Sequence, residues 1–409
     1  MAFQLLKFAL CLLPLTTEAV KPRAPPTAGR KSCTVIAKGQ QQDDVPQIVQ
    51  AFKDCGNGGL VVFPENQTYW IASKLNPVVS DVVIEWRGIW QYSDNLDYWR
   101  NNSYPVVFQN HHAGFILTGD GIHIDGYGTG GIHGNGDLWY TAEAGNTLPG
   151  RPMPFVLWNV SDVTVSRFSI VQPQLWSFNI MNGTNIAVDQ LYCNATATKA
   201  PWGENWVQNT DGFAIKPRSY GLTVSNVTCR GGNGIAIGSL GQYLEDSSVE
   251  NVVVDNVKII RYNEDMENGA YIKTWIGEQA PQSSYESAGG PRGGGWGSVR
   301  NVLFSNFDIQ GANLAAAITQ SSGNNGSFSG TSNMLVSNIA FENFTGWTNT
   351  STASSARTID ISCSERHPCY NIDFQNFDVA SKTNTTGTAS TTCEYVAAGG
   401  IHGQNCTSP

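Results

Sequence analysis

Asp211 is the residue of this 409-residue chain best placed by its neighbours to do chemistry, in the run Asn209-Thr210-Asp211-Gly212-Phe213. Asn, Thr and Gly around it favour a turn, so the segment can hold the Asp211 carboxylate out from a sheet face instead of into a core. A carboxylate presented that way can activate a water. Hydrolysis of a glycosidic bond by the common route needs two such groups, one to protonate the leaving oxygen and one to activate water or attack. Only one is found here in a motif. Glu204, Glu245 and Asp246 are the nearest alternatives in sequence, and nothing in their spacing sets any of them across one bond from Asp211. Taken without chemistry, the five residues are an ordinary turn.

A second segment, Gly231-Gly232-Asn233-Gly234-Ile235-Ala236-Ile237-Gly238-Ser239, lets a sugar approach the backbone, because glycine lacks the Cβ that would stand in the way. A structural turn explains these glycines equally well. Both segments need a scaffold, and the chain supplies one as a repeat of short alternating strands. It runs Val163-Thr164-Val165-Ser166, Ile186-Ala187-Val188-Asp189, Leu222-Thr223-Val224-Ser225, Val252-Val253-Val254-Asp255, Val302-Leu303-Phe304-Ser305, Ile339-Ala340-Phe341-Glu342 and Ile372-Asp373-Phe374-Gln375. Most are followed by Asn or Gln and then an apolar residue. Stacked as coils, such strands pair in parallel while the small polar residues form ladders at the turns. An antiparallel sandwich or propeller would instead need hairpin dipeptides at regular spacing. The expected fold is therefore all-β, a right-handed parallel β-helix, with a short N-terminal capping helix over residues 43–55. In that helix Asp44 is the cap, Pro46 lies in the first turn, and Ile48, Val49 and Phe52 form the apolar face. The mature chain reads as one domain over 32–409, after a loose Pro-rich lead at 20–31, and a Ser/Thr/Gly-rich loop is expected at 378–392.

Residues 1–19 have the makings of a secretory signal peptide: Lys7, an apolar run from Phe8 to Leu15, and small residues Thr17 and Ala19 before a cleavage point. That run is too short to span a bilayer, and no later segment approaches the ~20 apolar residues a span requires. Eleven Asn-x-Ser/Thr sequons agree with export, at Asn66, Asn101, Asn159, Asn182, Asn194, Asn226, Asn325, Asn343, Asn349, Asn384 and Asn405. Of nine cysteines, Cys11 leaves with the leader. In an oxidising compartment Cys363 can bond Cys369, Cys33 can bond Cys55 and Cys393 can bond Cys406. Cys193 and Cys229 remain as a pair or as two orphans. A net charge of −9 argues against nucleic acid, and a polyanionic ligand would have to be held by a few local basic residues. The His residues lack ligand-like pairing with Cys or Asp, so no metal site or cofactor is implied. His111, His112 and His123 read as turn or surface residues.

With Leu240-Gly241-Gln242-Tyr243 and Ile272-Lys273-Thr274-Trp275 added to the two segments above, the chain resembles the polygalacturonases of glycoside hydrolase family 28, and among them the fungal exopolygalacturonases. The resemblance implies a secreted, extracellular, monomeric enzyme that hydrolyses the α-1,4 links of polygalacturonate, a pectic polysaccharide, with inversion. It implies that Asp211 helps to activate water and that Asn209, Gly238, Gln242, Tyr271 and Lys273 bind substrate, Lys273 taking the galacturonate carboxylate. Asn233 occupies a position that is usually His, and it can hydrogen-bond but cannot titrate. Tyr271 stands where the family has Arg, exchanging a carboxylate clamp for a stacking surface.

The family also carries a Gly-Asp-Asp-Cys segment one coil after Asn-Thr-Asp, bearing the general acid and the partner of Cys229. Here Phe213 runs directly into Ala214-Ile215-Lys216-Pro217-Arg218-Ser219-Tyr220, which in the family follows that segment. Ile186 and Leu222 lie 36 residues apart, against 23 from Val163 to Ile186, an interval that fits two coils with a loop poorly. One coil is therefore expected to be missing between Phe213 and Ala214. Competing functions are a non-catalytic pectin-binding β-helix and a hydrolase acting on substituted galacturonan.

Overall fold

The computed structural model describes residues 26–106, 108–262, 266–282, 291–323, 327–349, 357–382 and 390–407. The expected leader, the lead up to residue 25, and the sequons at Asn325 and Asn384 lie outside them. The last part of the lead is anchored, because Arg30 Nη2 pairs with Asp81 Oδ1 at 2.7 Å.

The repeats stack in register, each strand parallel to the one a coil later. Val163 lies opposite Ile186, followed in turn by Leu222, Val252, Val302, Ile339 and Ile372. The fold is a right-handed parallel β-helix. Strand alternation sends Val165, Val188, Val224, Val254, Phe304, Phe341 and Phe374 into one buried column. Toward the C-terminal end this column becomes a stack of rings, with Phe304, Phe341 and Phe374 at centroid spacings of 5.2 and 4.9 Å. A second stack runs through Phe307, Phe344 and Phe377 at 4.5 and 5.0 Å.

Every coil must turn, and the turns explain the Asn after five of the seven repeats. Asn226, Asn256, Asn306, Asn343 and Asn376 all adopt left-handed φ between 51 and 57°, a conformation that Asn accepts more readily than other residues with a Cβ. Their amides form ladders along the stack: Asn256 donates to Asn226 at 2.5 Å, Asn343 to Asn306 at 3.0 Å and Asn376 to Asn343 at 2.9 Å.

The helix Val45–Cys55 covers the first coil with Val45, Ile48, Ala51, Phe52 and Cys55 buried. Val49 packs only at the edge of that face. Asp44 is the N-cap by position, but its carboxylate makes no capping bond to the helix. It accepts instead from Lys38 N at 2.9 Å and Trp70 N at 2.8 Å, because the neighbouring coil offers strand amides. Disulfides join Cys33 to Cys55, Cys363 to Cys369 and Cys393 to Cys406, whereas Cys193 and Cys229 are buried and unbonded.

One expectation about the C-terminal part is corrected. The stretch 378–392 is not simply a loop, since the strands Tyr370–Ser381 and Ser390–Glu394 reach into it from both sides. The 36 residues from Ile186 to Leu222 form one coil, with the excess in an excursion over 195–210, and the strand Asp211–Ile215 runs through the suspected junction unbroken. No helix among the described residues is long and apolar enough to cross a membrane.

Candidate functional site

One face of the solenoid is built from the strands Phe178–Asn194, Asp211–Ile215, Asn233–Leu240, Asn268–Trp275 and Leu314–Ser322, each pairing with the next. Their inward residues Phe178, Ile180, Phe213, Ile215, Ile235, Ile237, Ala270, Ile272, Ala316 and Ile318 belong to the core. The same alternation turns Asn179, Ala214, Ala236 and Tyr271 to the other side, where Ala214, Ala236 and Tyr271 pack in a second apolar cluster with Phe108 and Trp176.

Asp211 stands directly opposite Asn233 across one strand spacing. Asn233 Nδ2 donates to Asp211 Oδ1 at 2.9 Å, and Asn233 Oδ1 accepts from Glu267 N at 3.2 Å. The Tyr271 hydroxyl, one strand further on, bonds to both Asp211 and Asn233, and burial followed by the charge of Asp211 holds its phenol well above the ordinary value. The charge of Glu267, exposed just before that strand, also reaches Tyr271. Asp211, Asn233 and Tyr271 therefore form one hydrogen-bonded cluster, with Asp211 only 3% exposed.

The other candidates take different places. Lys273 is half-buried and stands opposite Gly238. At Gly238 an added Cβ would come within 2.8 Å of the Lys273 carbonyl oxygen and 2.9 Å of its Cβ, so no larger residue fits there. Gln242 is buried, and its Oε1 accepts from Gln109 N at 3.0 Å, tying the short turn Phe108–Asn110 down onto the loop after the glycine segment. Asn209 turns away toward Thr147 Oγ1, 3.0 Å from its Nδ2, and so helps to fasten the 195–210 excursion. Glu204 accepts from Trp206 Nε1 at 2.8 Å, Glu245 pairs with Arg218, and Asp246 accepts from Ser248 Oγ at 2.6 Å. These bonds lead away from the Asp211 cluster. No group of three or more His, Cys, Asp or Glu among the described residues is placed to hold a metal ion.

One residue on this face escaped the sequence reading, and a neighbour of it was misplaced. Lys216 is 1% exposed, donates to the Gly238 carbonyl oxygen, and lies 3.6 Å from the centroid of Trp176 and 5.2 Å from that of Phe108. Burial, reinforced by Lys273 and opposed by Asp211, lowers its pKa to about 7. The alternation from Phe213 inward to Ala214 outward was the signal that could have found it. His111, expected at a turn or the surface, is buried edge-on to Trp176 at 4.5 Å, and burial together with Lys216 and Arg151 pushes its pKa well down.

At the suspected junction, an added Cβ on Gly212 would lie 2.3 Å from Cys229 Sγ and 3.0 Å from Cys229 Cβ. The Cys193 thiol donates to the Gly212 carbonyl at 3.1 Å, and Cys193 stands opposite Cys229. Burial and then the Asp211 charge push the Cys229 thiol up to about 12.

The family model for glycosyl hydrolases family 28 matches residues 61–226 and, in a second overlapping part, 213–406. An Aspergillus niger protein named "Putative galacturan 1,4-alpha-galacturonidase C" is 62% identical over 393 residues, covering 91% of this chain and 92% of its own length. A Cochliobolus carbonum protein named exopolygalacturonase is 32% identical over 417 residues, covering 95% and 88%. Among solved structures, the endo-xylogalacturonan hydrolase of Aspergillus tubingensis has a TM-score of 0.67 at 24% identity, covering 92% of this chain and 99% of that one. The polygalacturonase of Erwinia carotovora has a TM-score of 0.54 at 15% identity, covering 94% and 99%. The chain belongs to glycosyl hydrolases family 28.

Proposed function

We propose that this is a secreted, monomeric pectin hydrolase of the exopolygalacturonase type, acting on chain ends of polygalacturonate, and that the chain as written lacks the coil carrying its second carboxylate. In this reading Asp211 activates water, Asn233 and Tyr271 orient it, and Lys273 holds a galacturonate carboxylate over Gly238. Asn209 and Gln242 serve the substrate by fastening the walls of the face.

The observation that carries the reading is the overlap of the two family matches. Residues 213–226 are matched twice, as a repeating sequence is when one repeat has dropped out. Two further observations support it. The match to the Aspergillus niger protein spans 393 residues while drawing on 91% of this chain, a surplus of about 20 positions, close to one short repeat. Gly212 also directs its missing Cβ at Cys229 Sγ, where the Cys of the absent segment would stand.

With one carboxylate in the cluster, the 409-residue chain is expected to bind the polymer and to hydrolyse it only in traces. A tryptic peptide spectrum of the naturally secreted protein tests this. Ala200–Arg218 crosses the junction, carries no sequon, and stays whole because Pro217 follows Lys216. A longer peptide bearing paired Asp and a Cys in its place identifies a complete hydrolase. If Ala200–Arg218 appears at its written mass, the deletion is real and the second reading, a pectin-binding β-helix, takes over. That reading is favoured by the lone Asp211, and binding isotherms on polygalacturonate without product formation would select it.

A further inference from the structure

We propose that Lys216 and Lys273 together form a seat for one uronate carboxylate above Gly238, closed on one side by Phe108 and Trp176. The proposal rests on the uronate reading above and adds Lys216 to it.

The two lysines flank the same strand. Lys216 Nζ reaches the Gly238 carbonyl from one side, and Lys273 stands opposite Gly238 on the other. Neighbouring strands lie about 4.8 Å apart, so the two backbones are about 10 Å apart with a bare glycine between them. A carboxylate seated over that glycine would place one oxygen toward each ammonium. The charges already sense each other, since Lys273 lowers the pKa of Lys216.

Neither lysine takes part in an ion pair among the described residues. Asp211 is close enough to favour the charged form of Lys216, but its carboxylate is engaged by Asn233 and Tyr271. Arg151, the other buried cation nearby, is paired with Glu143 at 2.7 Å, and His111 is held neutral. Among the described residues, the locus therefore gathers two lysines without an ion-pair partner beside one engaged carboxylate, in a chain of net charge −9. An ammonium buried without a counter-ion is strongly unfavourable, and an arriving carboxylate relieves it. The aromatic walls keep Lys216 in place: with Trp176 at 3.6 Å it sits in a cation–π contact instead of reaching for solvent. The bond from Gln109 N to Gln242 Oε1 holds the Phe108 wall in position.

The test is calorimetric titration of the full chain with digalacturonate and with its methyl ester, for the parent, Lys216→Met and Lys273→Met. The parent is expected to prefer the acid by at least about tenfold, since bonds to a charged group are the stronger polar contacts. Each variant is expected to lose about tenfold in affinity for the acid while binding the ester as before. Unchanged acid-to-ester preference in Lys216→Met overturns the seat, even where Lys273→Met weakens the acid. Equal loss of acid and ester in Lys216→Met also overturns it, because that is the mark of a purely structural role. If the parent binds neither compound, the uronate reading itself falls and takes the seat with it.

Discussion

Replacing Lys216 with Met should make the fold more stable, and by an amount that depends on pH. The ammonium is buried against Trp176 and Phe108, and its pKa falls from 10.5 to about 7. At 1.36 kcal/mol per pH unit, that drop corresponds to about 5 kcal/mol against the folded state when the group is charged. Below about pH 7 the lysine is protonated in both states, so the full penalty is present. Between about 7 and 10.5 the unfolded chain still holds a proton that the folded chain has released, and stability rises with pH. Methionine fills a similar volume without charge. The variant should therefore lead the parent by a few kcal/mol at pH 5.5, and the lead should shrink by about 2–3 kcal/mol by pH 9. Urea midpoints for both proteins at pH 5.5, 7.5 and 9 measure this, compared as differences because long repeat arrays need not unfold in two states. A gap that stays constant with pH, or a variant less stable at pH 5.5, would refute the picture of a charged lysine held out of water.

Three other perturbations follow from the same geometry. Gly212→Cys should form a disulfide with Cys229 after the added Cβ and that of Cys229, 3.0 Å apart, move apart by about 0.5–1 Å, leaving Cys193 as the free thiol near the junction; alkylation of all three thiols in the unfolded, unreduced protein would contradict it. Phe341→Ala removes the middle ring of the Phe304, Phe341 and Phe374 stack and should destabilise by about 3–5 kcal/mol, seen as a lowered urea midpoint, while a change under 1 kcal/mol would mean that the stack contributes little. Tyr271→Arg sets a guanidinium beside Asp211 and should tighten binding of unsubstituted polygalacturonate in calorimetry, whereas unaltered affinity would show that Tyr271 does not shape that subsite.

The stack was legible in the sequence because its cause is local. Alternation places Val188 or Phe304 inside, and the residue after most repeats is Asn because the corner requires left-handed φ. The three disulfides were legible because each closes a short segment. The cluster of Asp211, Asn233 and Tyr271 was named residue by residue, but its bonding was not, since Asp211 meets Asn233 only once the register is fixed. Lys216 and His111 stayed hidden for a related reason. Their surroundings come from the Phe108–Asn110 turn and from Trp176, and folding a distant turn back over the face is a matter of tertiary packing. The spacing from Ile186 to Leu222 resolves into one coil plus an excursion over 195–210, a division that an interval in sequence does not give by itself.

The placement of the cross-links governs how this molecule fails. Cys33–Cys55 secures the first coil and Cys363–Cys369 and Cys393–Cys406 secure the last, so the rod is stitched at both cuffs and open along the sleeve. Fraying from the tips, the usual way a linear array of repeats comes apart, is restrained, and rupture is redirected to the waist. The waist holds Cys193 and Cys229, whose thiols are kept protonated and unreactive while buried. Heating would uncover both at once in an oxidising medium, where a freed thiolate can attack a cuff disulfide of a neighbouring molecule. Heat inactivation of this chain should therefore be second order in protein, leave covalent oligomers, and be slowed by an alkylating agent present from the start.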